Sequence, residues 1–343
     1  MVSAGRRISG AGAISRDTWH MAKSVYSAAV IGLGRIGFSM EAEPARPKPA
    51  THLGAWDGTS RTFVAGICDF DESKVQAASN WLGDVDPVLY EGTDAGEMLL
   101  RVKPDIVSIA TQPEDHRDLV ELAAVAGVPA IICEKPMALT SRDCHAMIQV
   151  CEKFGSRLFV NHSRHFDPTI RAAALECHER IGEITHVETT MTGGLWNSGP
   201  HMIDLIRMFA GELEWVLTAW QTFAALQTQG GATVSLHMPD VPYSVFQVSF
   251  MGEKGGFMIG ESGFAQGWLE VQPNPFFEGY KSLRVASDTD FALRGRSFLA
   301  PMAAHVVDVL DGRAEPVSTG EDGLAVIGVL EALSGSSGTK RIR

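Results

Sequence analysis

Ala28-Ala-Val-Ile-Gly32-Leu-Gly34-Arg-Ile-Gly37 is a short apolar strand running directly into a glycine-spaced turn. That context makes the otherwise weak Gly-x-Gly-x-x-Gly spacing informative. The first glycine permits a tight turn, the second lets backbone approach a pyrophosphate, and the third allows close helix–sheet packing. The amides of the following helix point at the anion. Gly32, Gly34, Arg35, Ile36 and Gly37 are therefore candidate dinucleotide-binding residues.

Downstream, buried-looking strands alternate with amphipathic stretches: Thr62–Asp69, Asp105–Thr111, Pro129–Glu134 and Arg157–His162. Continuous apolar runs, rather than alternating ones, imply burial on both faces and hence a parallel sheet of strand–helix–strand units. Asp69, at the end of TFVAGICD, stands where an acid binds the adenosine ribose hydroxyls. Phe70 and Asp71 follow it without a cation, so a 2′-phosphate would meet negative charge, favouring NAD over NADP. Asp69 lies farther from Gly37 than usual because Glu41 to Thr51 (EAEPARPKPAT) inserts a Pro-rich loop before the first helix continues. The loop reads as a lid or an interface element. Thr140 with Asp143 forms a capping-box pattern for a helix before the last strand.

Past Ile181 the pattern changes to partly alternating runs, Ile184–Thr192 and Tyr243–Phe250, separated by Gly-rich turns, which read as antiparallel strands covered on one face. A helix over Pro200–Phe209 interrupts them, and another follows Thr319 to about Leu333 with Asp322 in a capping box. The expected division is an N-terminal extension (1–25), an α/β Rossmann domain with a parallel sheet (26–160), and an α+β substrate-binding and oligomerisation domain with an open, mostly antiparallel sheet (161–343). The helix near 320–335 is a candidate to pack back on the first domain. The extension, with Arg6, Arg7 and Arg16, faintly resembles a transit peptide but reads better as disorder or an early start codon, with Met21 as the alternative start.

The 343 residues suit about two domains. A net charge of -12 argues against a nucleic-acid partner. No apolar run has the roughly 18 residues of a membrane helix. Five cysteines without a Cys-x-x-Cys pair suggest neither a disulfide framework nor a thiolate zinc site, and fit a reducing cytoplasm.

Cys133-Glu134-Lys135-Pro136, taken with the glycine fingerprint, resembles the glucose-fructose oxidoreductase / inositol dehydrogenase / MocA family over almost the whole chain after Ser27. The resemblance implies an NAD(H)-dependent oxidoreductase acting on a sugar, inositol or nucleotide-sugar. It gives Lys135 the alkoxide-stabilising role and Pro136, after a cis peptide, a shaping one, with Glu134 beside the cofactor. Stabilising a developing alkoxide while hydride leaves carbon suits an ammonium donor on chemical grounds as well.

Asn197-Ser-Gly-Pro200-His201-Met-Ile-Asp204 is similar to the family's Asp-x-Gly-x-His-x-x-Asp segment. His201 is then the general acid/base, with Asp204 one turn on to orient it or a substrate hydroxyl. Asn197 replaces the usual Asp and cannot ionise, so it hydrogen-bonds rather than relays a proton. Asn197 or Ser198 is a candidate helix cap.

Thr111-Gln112-Pro-Glu-Asp-His116 resembles a cofactor-binding segment. Asn161, Arg164 and His165 follow the strand where the family faces nicotinamide and substrate; Arg164 either binds a carboxylate or phosphate by its planar fork or makes an interdomain ion pair. Metal catalysis is not expected: His162 and His165 would point to opposite faces of a continuing strand, and no helical His pair exists. Trp196, Trp215, Trp220 and Trp268 are candidates for stacking on a sugar, though core is the commoner fate. By resemblance, a dimer or tetramer forms through the C-terminal sheet. Two other readings remain: a redox-neutral NAD-dependent glycosidase, lyase or epimerase, and a non-catalytic NAD-binding regulatory subunit.

Overall fold

The computed structural model describes residues 24–83, 90–289, 291, 295–335 and 339–342. The N-terminal extension read at 1–25, with Met21, lies outside them apart from its last two residues.

Strands β1 (Tyr26–Ile31), β2 (Thr62–Cys68), β3 (Tyr90–Gly92), β4 (Ile106–Ile109), β5 (Ala130–Cys133) and β6 (Arg157–Val160) form a six-stranded sheet in the order β3-β2-β1-β4-β5-β6. Every pairing is parallel. The order reverses between β1 and β4, and the crevice beyond their carboxyl ends is where such sheets bind ligands. β3, only Tyr-Glu-Gly, carries no apolar run and so gave no strand signal.

Helices α1 (His52–Gly58), α2 (Glu72–Leu82), α3 (Ala95–Val102), α4 (Pro113–Val125) and α5 (Ser141–Phe154) supply most of the cover. Successive strand residues feed opposite faces: Val30, Ile106 and Ile132 join the cluster holding Leu53 and Trp56 of α1, whereas Ile31, Ile109 and Ile131 join Val120 of α4 and Met147 of α5. Thr140 caps α5 as expected, accepting from the Asp143 amide.

After α6 (Pro168–Ile181), strand β7 (Ile184–Met191) and helix α7 (Gly199–Ala210), the chain forms β8 (Leu213–Trp220), β9 (Phe223–Thr228), β10 (Thr233–His237), β11 (Phe246–Gly252), β12 (Gly255–Gly260), β13 (Ala265–Pro273) and β14 (Lys281–Val285). With β15 (Lys340–Arg341) these make a nine-stranded sheet, antiparallel except where β7 meets β10. Phe250, Phe257 and Val248 point inward onto α7.

The expected 161–343 unit gives up its last helices to the first sheet. α8 (Leu299–Leu310) packs on α1, and α9 (Gly320–Ser334), with its Thr319–Asp322 capping box, packs on α5 and β6. α8 was not foreseen, because Leu299, Met302, Ala303, Val306, Val307 and Val309 bury more than one face and leave little amphipathic period.

The Pro-rich insertion is looped out of a helix that resumes beyond it. The amides of His52 and Leu53 donate to the carbonyls of Ile36 and Gly37, at 3.0 and 3.0 Å, so α1 continues the fingerprint turn. Glu41 clasps the loop base, accepting from the Ala50 amide at 2.9 Å and the Thr51 hydroxyl at 2.7 Å. Ser297 Oγ donates to the Pro49 carbonyl, docking the loop against the segment before α8 as an interface element.

Candidate active site

A cleft of about 520 Å³ opens at the carboxyl ends of the central strands, and Thr111, Gln112, Lys135, Asn161, Asn197 and His201 are among its walls. At its dinucleotide end Gly32 adopts φ +90°, and a Cβ there would lie 2.7 Å from the Ala110 carbonyl. At Gly37 a Cβ would fall 1.9 Å from the Gly32 carbonyl oxygen, so this glycine closes the turn on itself rather than easing helix–sheet packing as expected. The Cβ side of Gly34 is open, which leaves the backbone approachable by a pyrophosphate. Ile36 lines the cleft, while the Arg35 side chain turns outward to Glu43, 3.6 Å away.

Asp69 is buried and accepts from the Leu33 amide at 2.7 Å and the Asp71 amide at 3.0 Å. It does not cap α2, a task performed by Asp71. The expectation that no cation stands near needs correction: one helical turn into α2, Lys74 brings its Nζ to 3.4 Å from Asp69.

His116 is also corrected. It is fully buried, with Nδ1 3.2 Å from the carbonyls of both Pro136 and Met137, and Nε2 3.3 Å from that of Thr111. It ties α4 to the Pro136 turn and does not line the cleft. Burial holds its pKa below the usual value.

The Lys135–Pro136 peptide is cis. Lys135 Nζ donates to both the carbonyl and the side-chain oxygen of Asn197, each at 3.0 Å, joining the two halves of the chain across the cleft. Burial lowers the Lys135 pKa, Glu134 pulls it back up, and Arg164 lowers it further. Beneath it Glu134 is buried, receiving Nε2 of His52 at 2.8 Å, the Asn161 amide at 2.5 Å and the Lys135 backbone amide at 3.1 Å. Burial pushes the Glu134 carboxyl up, but the hydrogen bond and charge of His52, the Asn161 hydrogen bond and the Lys135 charge outweigh it and hold it below the usual range. His52 was missed because the insertion separates it from the glycine fingerprint.

α7 begins at Gly199 with Pro200 in its first turn. Neither Asn197 nor Ser198 caps it; Asn197 Oδ1 is taken by Lys135, and Ser198 Oγ donates to the Thr192 carbonyl at 2.5 Å. His201 lines the cleft, and its buried Nδ1 has no hydrogen-bond partner among the described residues. Burial, then the charges of Arg164, Lys135 and His162, place its pKa well below the usual value.

Asp204 does not orient His201 as expected. It accepts from Nδ1 of His165 at 2.9 Å and lies 3.5 Å from Nδ1 of His162. Nor do those two histidines point apart: β6 ends at Val160, and the 3-10 turn Ser163–Phe166 brings both rings to one carboxylate. Burial raises the Asp204 pKa, but His165 and His162 outweigh it and lower it. Burial likewise opposes a proton on His165, yet Asp204 wins and raises its pKa, whereas His162 is lowered.

Among the described residues Arg164 makes no ion pair. Its Nε and Nη2 donate to the Ser262 carbonyl at 3.0 and 2.8 Å, and its Cζ lies 4.3 Å from the centroid of Phe246. Burial brings its pKa down to about 10. Among the described residues no group of three or more His, Cys, Asp or Glu could hold a metal ion, and no helix is long and apolar enough to cross a membrane. The five cysteines are buried and unpaired.

Comparison with known proteins follows this geometry. Residues 26–162 match the Gfo/Idh/MocA oxidoreductase family, described by its NAD-binding Rossmann fold. Over 121 residues the chain is 42% identical to D-apiose dehydrogenase of Paraburkholderia graminis, covering 35% of this chain and 31% of that protein. Over 198 residues it is 32% identical to inositol 2-dehydrogenase of Rhizobium meliloti, covering 53% and 54%. The matches thus span about a third to a half of these curated relatives.

The likeness in structure reaches farther. The WlbA dehydrogenase from Bordetella pertussis, solved with NADH and UDP-GlcNAcA, superposes with a TM-score of 0.74 at 22% identity, covering 94% of this chain and 99% of that one. Aldose-aldose oxidoreductase from Caulobacter crescentus gives 0.73 at 22%, covering 92% and 99%. At such identities the likeness carries the fold alone, and it extends that fold through the second sheet.

Proposed function

Because residues 26–162 match the Gfo/Idh/MocA oxidoreductase family with its NAD-binding Rossmann fold, we propose that this chain transfers hydride between NAD(H) and a hydroxyl or keto carbon of a sugar, inositol or nucleotide-sugar. One observation carries the reading: Lys135, from the end of β5, and His201, from the first turn of α7, line one cleft beside the open backbone of the glycine turn.

The residues present fit the cofactor. The open side of Gly34 leaves room for a pyrophosphate, and Asp69 stands at the end of β2 for the ribose diol. When bound, NAD supplies the hydride acceptor. An ammonium has three N–H donors; two of those on Lys135 go to Asn197, and the third is left for a substrate oxygen whose growing negative charge it stabilises. His201, neutral near pH 7 because of its lowered pKa, takes the hydroxyl proton on Nε2, since Nδ1 is buried. The resulting imidazolium sits among positive neighbours, which favours prompt release of the proton.

Asn197 positions Lys135 and carries no proton. Asn161, in the cleft wall, holds Glu134, while His165 and Asp204 act from behind the cleft through the groups they bind. Trp196, in the wall, offers a sugar its apolar face. A reducing compartment suits five buried thiols, and assembly as a dimer or tetramer through the second sheet belongs to the same reading.

The test is titration with NADH and NADPH by fluorescence, then nicotinamide absorbance with a panel of sugars, inositols and nucleotide-sugars. Preferential NADH binding with an absorbance change on one polyol class is expected. Tight NAD binding with substrate turnover but no net reduction would replace the dehydrogenase by a redox-neutral reaction, and no dinucleotide binding would overturn the reading.

A further inference from the structure

We propose that His52 is a positioning residue for Lys135, holding in place the Glu134 carboxylate that grips the Lys135 backbone amide. The inference rests on Lys135 being the catalytic lysine of the proposed reaction. His52 is wholly buried at the start of α1, where the chain re-enters after the Pro-rich insertion. Its Nε2 meets Glu134 Oε1 at 2.8 Å, while Glu134 Oε2 accepts from the Lys135 amide at 3.1 Å. Three short links therefore connect the base of the insertion to the lysine: Glu41 holds Thr51, Thr51 caps the helix that presents His52, and His52 holds Glu134.

Nδ1 of His52 is buried without a partner among the described residues. The bond to the ionised Glu134 needs a proton on Nε2, so His52 is the donor and the carboxylate the acceptor. The other groups facing this carboxylate are Asn161 and Lys135, with His116 beyond the Pro136 turn; Lys135 itself also faces Arg164 and Asn197.

The experiment uses the full chain and four variants: His52→Leu, His52→Gln, Glu134→Gln, and the His52→Leu/Glu134→Gln double variant, with His52→Phe in reserve should the leucine variant not fold. Loss of a hydrogen bond to a charged group predicts a kcat about tenfold lower in His52→Leu, with KM for polyol and NADH affinity little changed. His52→Gln, which restores a donor, should recover most of the loss. In the Glu134→Gln background the His52 substitution should have no further effect.

A second readout is independent of turnover: the Glu134 carboxyl, followed by carbon NMR in glutamate-labelled protein and assigned with Glu134→Gln. It should titrate at higher pH in His52→Leu than in the parent, because a donor to the charged form is gone. The acid limb of kcat should move the same way. An unmoved Glu134 titration, an equal His52 effect with and without Glu134, or a glutamine variant as impaired as leucine would overturn the proposal. A shifted titration in a protein that turns over no polyol would keep the positioning role and sink the dehydrogenase reading instead.

Discussion

Glu134 and Asp204 are both buried near the cleft, one in each half of the chain, and they differ in what their charge sustains. Glu134 is held by the Asn161 amide and the His52 ring, and spends its second oxygen on the Lys135 backbone. Asp204 is held by two histidines, keeps one oxygen without a hydrogen-bond partner among the described residues, and raises the pKa of His165 while His162 beside it stays depressed. The first charge shapes a backbone at the reacting group; the second raises the basicity of an imidazole behind it. Equal burial therefore does not mean equal purpose, and mutants of the two sites should fail differently.

The largest effect should come at the group Glu134 supports. Lys135→Ala should lower turnover about a thousandfold, as removal of a preorganised donor does, while NADH affinity by fluorescence stays near that of the parent. Equal losses in both would make Lys135 a binding residue and erase the distinction drawn between the two carboxylates.

On the other side, Asp204→Ala should show first as lost stability. Breaking a buried pair by removing one partner costs about 3–5 kcal/mol, measurable by denaturant unfolding. NMR titration adds the sign. In the parent, His165 should titrate above pH 6.5 and His162 below it. The His165 contribution to stability is then fully present below its unfolded pKa and fades as pH rises through the raised folded value. With Asp204 removed, His165 should titrate below 6.5 and this part of the pH dependence should reverse. A His165 that keeps its raised pKa would mean that another group holds its proton.

This contrast also explains what could be read from the sequence. The Glu134 side was legible where its signals are local: a glycine spacing set by backbone sterics, a strand ending in Asp69, and the Glu-Lys-Pro run. Its hidden member, His52, is local to the glycine turn in space but not in sequence, because the insertion is looped out between Ile36 and His52. The Asp204 side was legible only as a list of polar residues. One helical turn separates His201 from Asp204, and spacing alone suggested that they pair, but the imidazoles that reach Asp204 arrive from another element after β6 ends. Likewise α8 carries a nearly all-apolar sequence, which says that it is buried but not against which sheet. Periodicity reports how much of an element is covered; it does not name the partner.

Smaller effects should follow at the dinucleotide end. Asp69→Ala removes both the expected ribose partner and the acceptor for the Leu33 amide, so NAD affinity should fall about tenfold, consistent with the loss of charge-assisted hydrogen bonds. Lys74→Ala separates the two cofactors. Its Nζ is the cation nearest Asp69, so NADPH affinity should fall by about twofold to fivefold, a partly exposed charge being worth little, with NADH hardly changed. Equal loss for both cofactors would mean that Lys74 acts by holding Asp69 rather than by meeting a 2′-phosphate.

The subtlest substitution lies between the two carboxylates. Asn197→Asp would place a third carboxylate against Lys135 Nζ, where a neutral amide oxygen now sits at 3.0 Å. The added charge favours the ammonium and so opposes the downward shift that burial imposes on Lys135. If the ammonium is the working form, activity persists below its pKa and falls as pH rises through it, so the alkaline limb of kcat should move to higher pH. His201, depressed partly by the positive charges around it, should gain basicity from the same carboxylate, carrying the acid limb for alcohol oxidation upward too. Both limbs moving together, with kcat at the optimum changed by no more than about threefold, would show that Asn197 tunes the pair without taking a proton. A bell that widens on its acid side instead would mean that the new carboxylate has become a base in its own right, and that Asn197 had been withholding a proton path from the cleft.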